Sequence, residues 1–242
     1  IILIYIMKVL ILAGGVGSRL SEETITKPKP MVEVGGKPII WHIMKTYAYS
    51  GFSDFIILIG YKGDLIKQYF NDIKEPDWHV EILETGEGTS KAQRIRKAED
   101  LITEDDFFVS YGDDVSDIYP EKVLETHIKN GKTATLTAIP LFSDFGVVEL
   151  HEDNTVKCFR EKPRIENQWI NGGYFCFSRK IFDYLKNEDE ELENEVFKLL
   201  ASKGEIGAYI HDGFWKCMNT YKDKLDLELL LNQNKAPWIK WK

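Results

Sequence analysis

Residues 9–13 are apolar at every position, rich in branched side chains, and run straight into glycines. Residues 55–59 repeat that pattern. A short continuous apolar run of this kind reads as a strand buried on both faces, as in a parallel sheet. Further strands are predicted over residues 80–83, 107–110 and 133–139, with helices between them over 38–49, 65–70, 92–101 and 120–129. Strands alternating with helices imply right-handed βαβ units. The expected fold is therefore α/β, a Rossmann-like, mostly parallel but mixed sheet flanked by helices. After about residue 140 the rhythm changes to short strand-like pieces at 146–150, 156–160 and 172–177. These predict a smaller β-rich part that shares the core. An acidic run over 188–195 reads as a solvated helix start leading into a helix at 196–201, and 225–231 is a closing helix followed by a tail at 236–241. One domain is expected over 7–242, with halves at 7–139 and 140–242.

Composition removes several functions. Thirty-one basic against 39 acidic residues leave a net charge of −8, which repels nucleic-acid backbones and anionic membrane surfaces. Three cysteines, at 158, 176 and 217, form no Cys-x-x-Cys pair. Neither a disulfide framework nor a zinc ribbon is indicated, and a reducing cytoplasm is the expected setting. The apolar residues 1–6 are too few to span a bilayer even with the strand that follows, and nothing basic precedes them. Met7 is the expected start, and no function is placed on 1–6.

Candidate chemistry begins at the first strand's carboxyl end with Gly14, Gly15, Gly17, Ser18 and Arg19. Glycines there let backbone N–H groups approach a phosphate, at the sheet edge where open α/β folds bind ligands. A dinucleotide fingerprint would need a third glycine where Leu20 stands. The loop continues through Lys27-Pro28-Lys29-Pro30-Met31 to Gly35-Gly36-Lys37-Pro38. Concentrated cations in an acidic protein suit a small polyanion such as a nucleoside triphosphate, although a solvated basic loop has the same composition. Tyr111-Gly112-Asp113-Asp114 closes another apolar run. A carboxylate there suits a hard cation bridging phosphates, and a plain surface turn also fits. Asn130-Gly131-Lys132-Thr133 imitates half a P-loop but enters a strand, so a loop connector is preferred. The five histidines show no ligand spacing, and no nucleophile elbow is present.

With these residues in view, the sequence resembles the sugar-1-phosphate nucleotidyltransferases from Met7 onward, and within them is most similar to the glucose-1-phosphate cytidylyltransferases. The pattern is carried by Leu12-Ala13-Gly14-Gly15-Val16-Gly17-Ser18-Arg19-Leu20 and Lys29. The narrower likeness rests on residues 21–24, 27–31, 33–38, 41–45 and 60–63. The resemblance implies transfer of a cytidylyl group from CTP to a sugar 1-phosphate, with Mg²⁺ as cofactor and a homo-oligomeric assembly. Arg19 and Lys29 would be catalytic. Leu12, Ala13, Gly14, Gly15, Gly17, Ser18, Thr89 and Asp113 would join them in binding the nucleotide. Gly146, Glu161, Lys162, Asn171 and Gly172 would bind the sugar phosphate, and Asp113 with Asn219 would meet the metal.

Four departures qualify the likeness. The connection from Phe70 to Glu84 is short, and Lys91-Ala92-Gln93 stands where Thr-Gly-Gly is expected. Asp114 replaces the second glycine of Gly-Asp-Gly, and Asn219 replaces an aspartate. Another sugar, another pyrimidine triphosphate, or a non-catalytic nucleotide-sugar-binding subunit therefore stays open at this level.

Overall fold

The structure is a computed structural model that describes residues 7–17, 20–73, 75–186 and 190–241. The chain opens with β1 (Lys8–Ala13), a single turn α1 (Ser21–Thr24) and a tiny hairpin of β2 (Glu33–Val34) and β3 (Lys37–Pro38). Two crossovers follow: α2 (Ile39–Tyr49) leads to β4 (Asp54–Ile59), and α3 (Gly63–Asp72) leads to β5 (His79–Glu84). Then come α4 (Lys91–Arg96), β6 (Asp106–Tyr111), β7 (Asp114–Ser116) and α5 (Pro120–Asn130). The second half holds β8 (Ala134–Phe142), β9 (Val147–Leu150), β10 (Val156–Arg160), β11 (Arg164–Ser178), α6 (Phe197–Ser202), β12 (Ile206–Ile210), β13 (Trp215–Cys217) and α7 (Tyr221–Asn232).

Seven strands form one sheet in the order β12-β8-β11-β6-β1-β4-β5. All pairings are parallel except the two that β11 makes, with β6 and with β8. The expected mixed α/β sheet is therefore present. Strand order reverses at β1, which pairs with β4 on one side and β6 on the other, and a crevice opens outside the carboxyl ends at such a point.

The alternation within β1 explains its apolar run from Val9 to Ala13. Val9, Ile11 and Ala13 pack into one hydrophobic layer with Ile43 and Met44 of α2, while Leu10 and Leu12 face a second layer with Ile95 of α4 and Phe175 of β11. Both faces are covered from Val9 to Ala13, so no polar position survives there, and only Lys8 at the strand's start is charged, paired with Asp54.

Several elements differ from the sequence expectation. The helix expected over 92–101 stops at Arg96 and tightens into a 3-10 turn at Glu99–Leu101. β11 spans 15 residues instead of 172–177, and its register against β8 jumps between Asn171 and Phe175. Strands β7, β12 and β13 were not anticipated. β12 reads Ile-Gly-Ala-Tyr-Ile, and its two small residues dilute the apolar pattern. β7 and β13 are three residues each and exist only as each other's partners.

The apolar and aromatic tail packs inside the protomer. Trp238 is fully buried, stacks on Phe214 at 5.4 Å, and donates from Nε1 to His42 Nδ1 at 3.3 Å. Lys240 reaches the Ile118 carbonyl and lies 3.9 Å over the Tyr119 ring. Among the described residues, no helix is long and apolar enough to cross a membrane.

Candidate active site

At the carboxyl ends of β1 and β6 lies a cavity of about 560 Å³ lined by Leu12, Gly14, Lys29, Arg94, Asp113 and Asn219 among others. The glycine loop and the Gly112-Asp113 turn, 100 residues apart in sequence, thus share one crevice as the strand order requires. Gly15, Gly17 and Thr89 also line it. Ala13 is buried in the strand below. Ser18 and Arg19 lie outside the described residues.

Lys29 sits on a 3-10 turn, Lys29–Met31, where Pro28 and Pro30 bracket it. Only 6% of it is exposed, and its Nζ lies 2.5 Å from Asp113 Oδ2 and 2.9 Å from Asn219 Oδ1. The lysine expected on the phosphates and the two residues expected at a metal are therefore in mutual contact. Asn219 is brought there by β13, whose Cys217 pairs with Asp114 of β7, and by a bond from Met218 N to the Asp113 carbonyl at 3.0 Å. Its other side is fixed by the start of α7. Asp223 Oδ2 accepts from Asn219 N at 3.1 Å and Thr220 N at 2.8 Å in a capping box, and Lys216 holds Asp223 at 2.8 Å.

Arg94 was not singled out by sequence, yet it organises the loop. It is 4% exposed and donates to the carbonyls of Ile59 at 3.2 Å and Gly14 at 3.1 Å, and to Thr85 Oγ1. One guanidinium thereby ties together the ends of β1, β4 and β5. Among the described residues it has no carboxylate partner, and burial lowers its pKa. It also explains Gly14, because a Cβ there would come within 2.0 Å of Arg94 Nη1. No local pattern could have announced this role, since every partner is remote in sequence.

Across the pocket stands a second group. Tyr111 Oη donates to Glu193, Asn171 Nδ2 donates to Tyr111 Oη at 3.1 Å, and Lys91 pairs with Glu193 while lying 4.6 Å over the Tyr111 ring. Burial, reinforced by Glu193, pushes the Tyr111 phenol up. Glu193 comes from the acidic run read as a solvated helix start: the chain is helical from Leu192, and Glu191, Asn194 and Glu195 are exposed, but Glu193 is tied to the site by Lys91 and Tyr111, while residues 188 and 189 lie outside the described residues. Asn171 is aimed by the β11 register jump, and its Oδ1 accepts from Gly173 N at 3.0 Å. Gly172 offers its carbonyl to Trp215 Nε1 at 2.8 Å.

The remaining sugar-phosphate candidates lie apart from this lining. Gly146, Phe159 and Glu161 sit together at the β9–β10 ribbon, where a Cβ on Gly146 would meet Phe159 at 2.5 Å and Glu161 at 3.1 Å. Lys162 is exposed with a left-handed φ of 43°. Of that set, only Asn171 lines the cavity.

The site's donors fit a divalent cation. Asp113 and Asp114 carboxylates are adjacent, Asp114 is 2% exposed, and its Oδ1 has no hydrogen-bond partner. Burial and then the Asp113 charge raise the Asp114 pKa, with Cys217 and the Lys29 charge opposing.

Comparison with known proteins places this geometry. The nucleotidyl transferase family profile matches residues 8–233. Glucose-1-phosphate cytidylyltransferase of Salmonella typhi is 41% identical over 258 aligned positions, covering 97% of this chain and all of that protein. The Bacillus subtilis protein named probable glucose-1-phosphate cytidylyltransferase is 41% identical over 256, again 97% of this chain and 100% of its own length. The crystal structure of HddC from Yersinia pseudotuberculosis superposes with a TM-score of 0.74 at 22% identity, covering 93% of this chain and 99% of that one.

Proposed function

The chain belongs to the nucleotidyl transferase family, and from that premise we propose that it moves the cytidylyl group of CTP onto a sugar 1-phosphate, glucose 1-phosphate by preference. The products are a CDP-sugar and pyrophosphate. The observation that carries the reading is the Lys29 ammonium set between Asp113 and Asn219 on the floor of the glycine-loop crevice. CTP and glucose 1-phosphate are named by the likeness to the Salmonella typhi enzyme.

In the reaction a phosphate oxygen of the sugar 1-phosphate attacks the α-phosphorus of CTP, a new P–O bond forms, and the bond to pyrophosphate breaks in line. No proton need be abstracted, because the attacking oxygen is already anionic. The chain's contribution is positioning and charge neutralisation. The loop over Leu12 to Gly17, held by Arg94, receives the nucleotide, with Ser18 and Arg19 continuing it. Lys29 swings its ammonium from Asp113 toward the phosphates as charge builds on them. Mg²⁺, when bound, neutralises phosphate charge, and Asp113 with Asn219 would hold it. Asn171 and Gly172, with Gly146, Glu161 and Lys162 from the ribbon, receive the sugar phosphate, which requires the ribbon to approach the crevice when substrate binds. The working form is taken to be a homo-oligomer in the cytoplasm.

Pyrophosphate release measured with CTP, UTP and dTTP against a panel of sugar 1-phosphates tests the assignment. CTP with glucose 1-phosphate is the expected best pair. No release with any combination in the presence of Mg²⁺ would remove the catalytic reading.

A further inference from the structure

The floor of the crevice carries a sulfur donor that phosphate chemistry with Mg²⁺ does not use. Pairing of β13 with β7 sets Cys217 directly opposite Asp114. One donor atom each from Asp113, Asp114 and Cys217 lie within 4.8 Å of one another. Asp114 is 2% exposed, lines the cavity with its carboxylate in this cluster, and keeps Oδ1 without a hydrogen-bond partner, so one buried oxygen of the group has nothing to receive it. Room for that carboxylate depends on Gly173, where a Cβ would come within 2.2 Å of Asp114 Oδ2 and where φ is +76°. Lys29 engages Asp113 through Oδ2.

We propose that Asp113, Asp114 and Cys217 bind a thiophilic divalent cation of the Co²⁺ or Zn²⁺ class, with Asp114 and Cys217 as direct ligands. Mg²⁺ and Ca²⁺ take oxygen donors, whereas a thiolate beside two carboxylates favours the later first-row ions. On binding, the Cys217 thiol releases its proton to solvent and its sulfur takes the metal, which replaces the thiol's hydrogen bond to Asp114. The ion then supplies the positive partner that Asp114 Oδ1 lacks. This rests on the transferase reading for its consequence, since an ion so placed would face the nucleotide phosphates, but its test needs no turnover.

Titration of the full chain with Co²⁺ alone, followed by absorption, supplies that test. A sulfur-to-cobalt charge-transfer band in the near ultraviolet is expected, saturating at one ion per chain. It should vanish in Cys217→Ser, persist in Cys158→Ser, and require about tenfold or more Co²⁺ in Asp114→Asn. Should Asp114→Asn fail to fold, Cys217→Ser, a one-atom exchange at a half-buried position, decides the matter. Cobalt binding without the band, or a band that survives Cys217→Ser, overturns the proposal. Absence of pyrophosphate release would count against the transferase reading and leave the cobalt readout untouched.

Discussion

At the scale of single residues, Lys29 is the most exposed to test. Its ammonium makes two polar contacts and its alkyl stem is buried, yet its charge opposes charge that grows during transfer. Lys29→Ala should lower kcat by about 10²-fold or more while the protein stays folded, read by initial rates and circular dichroism. Near-normal turnover would take Lys29 out of the mechanism. Lys162→Ala should act differently, raising KM for the sugar phosphate with little change in that for CTP, because a point charge on a dianion supplies binding before chemistry. The reverse pattern would mean that Lys162 serves the nucleotide. His42 carries a pH dependence of stability. Its Nδ1 accepts from Trp238, so its proton sits on Nε2 and is donated to the Val34 carbonyl at 2.8 Å. Burial holds its pKa below the ordinary 6.5, the Val34 bond opposing and the Lys37 charge assisting. The unfolded chain therefore takes up a proton first as pH falls through about 6.5, and stability is full above that value and declines beneath it. A urea midpoint unchanged between pH about 7.5 and about 5.5 would contradict this.

At the scale of elements, two anchors hold the site from outside it. Arg94 on α4 fastens the ends of three strands, and Gly14 leaves the space it occupies. Gly14→Ala should force the guanidinium aside, costing about 1–3 kcal/mol of stability as overpacking does, with a raised KM for CTP. Denaturant unfolding together with nucleotide kinetics checks both, and an unchanged protein would show that Arg94 yields freely. The second anchor is the tail after α7. Trp238→Ala empties a fully buried indole site against His42 and Phe214 and should cost about 3–5 kcal/mol, measured by urea unfolding. A loss under about 1 kcal/mol would mean the tail is laid on the surface of an already complete core.

For the whole molecule, burial of the tail moves the question of assembly elsewhere. Trp238 is closed within the protomer, while Val148, Leu150, Val156 and Phe159 stay more than half or about half exposed on the β9–β10 ribbon beside Gly146 and Glu161. The connection from Phe70 to Glu84 is the short segment noted in the sequence, and the Salmonella typhi alignment is longer than this chain itself, so the relative carries residues that this one lacks. Light scattering is expected to report a homo-oligomer, and a monomer at working concentration would end that expectation.

The sequence by itself determined the framework. Strands such as β1 and β4 are legible because burial on both faces leaves every position after the first apolar, and the helices between them because one covered face imposes helical spacing. The glycine loop, Lys29 and Asp113 were visible as residue types at strand ends, where backbone approach and charge have few other uses. Tertiary structure alone decided the rest, because it depends on distances between segments that carry no local signature. Cys217 meets Asp114 only through a three-residue strand pair, and Arg94 has meaning only where three strand ends converge. Glu193 turns toward the site only because Lys91 and Tyr111 receive it. Sequence pattern records which surface a residue covers, and it is silent on which distant residue that surface will face.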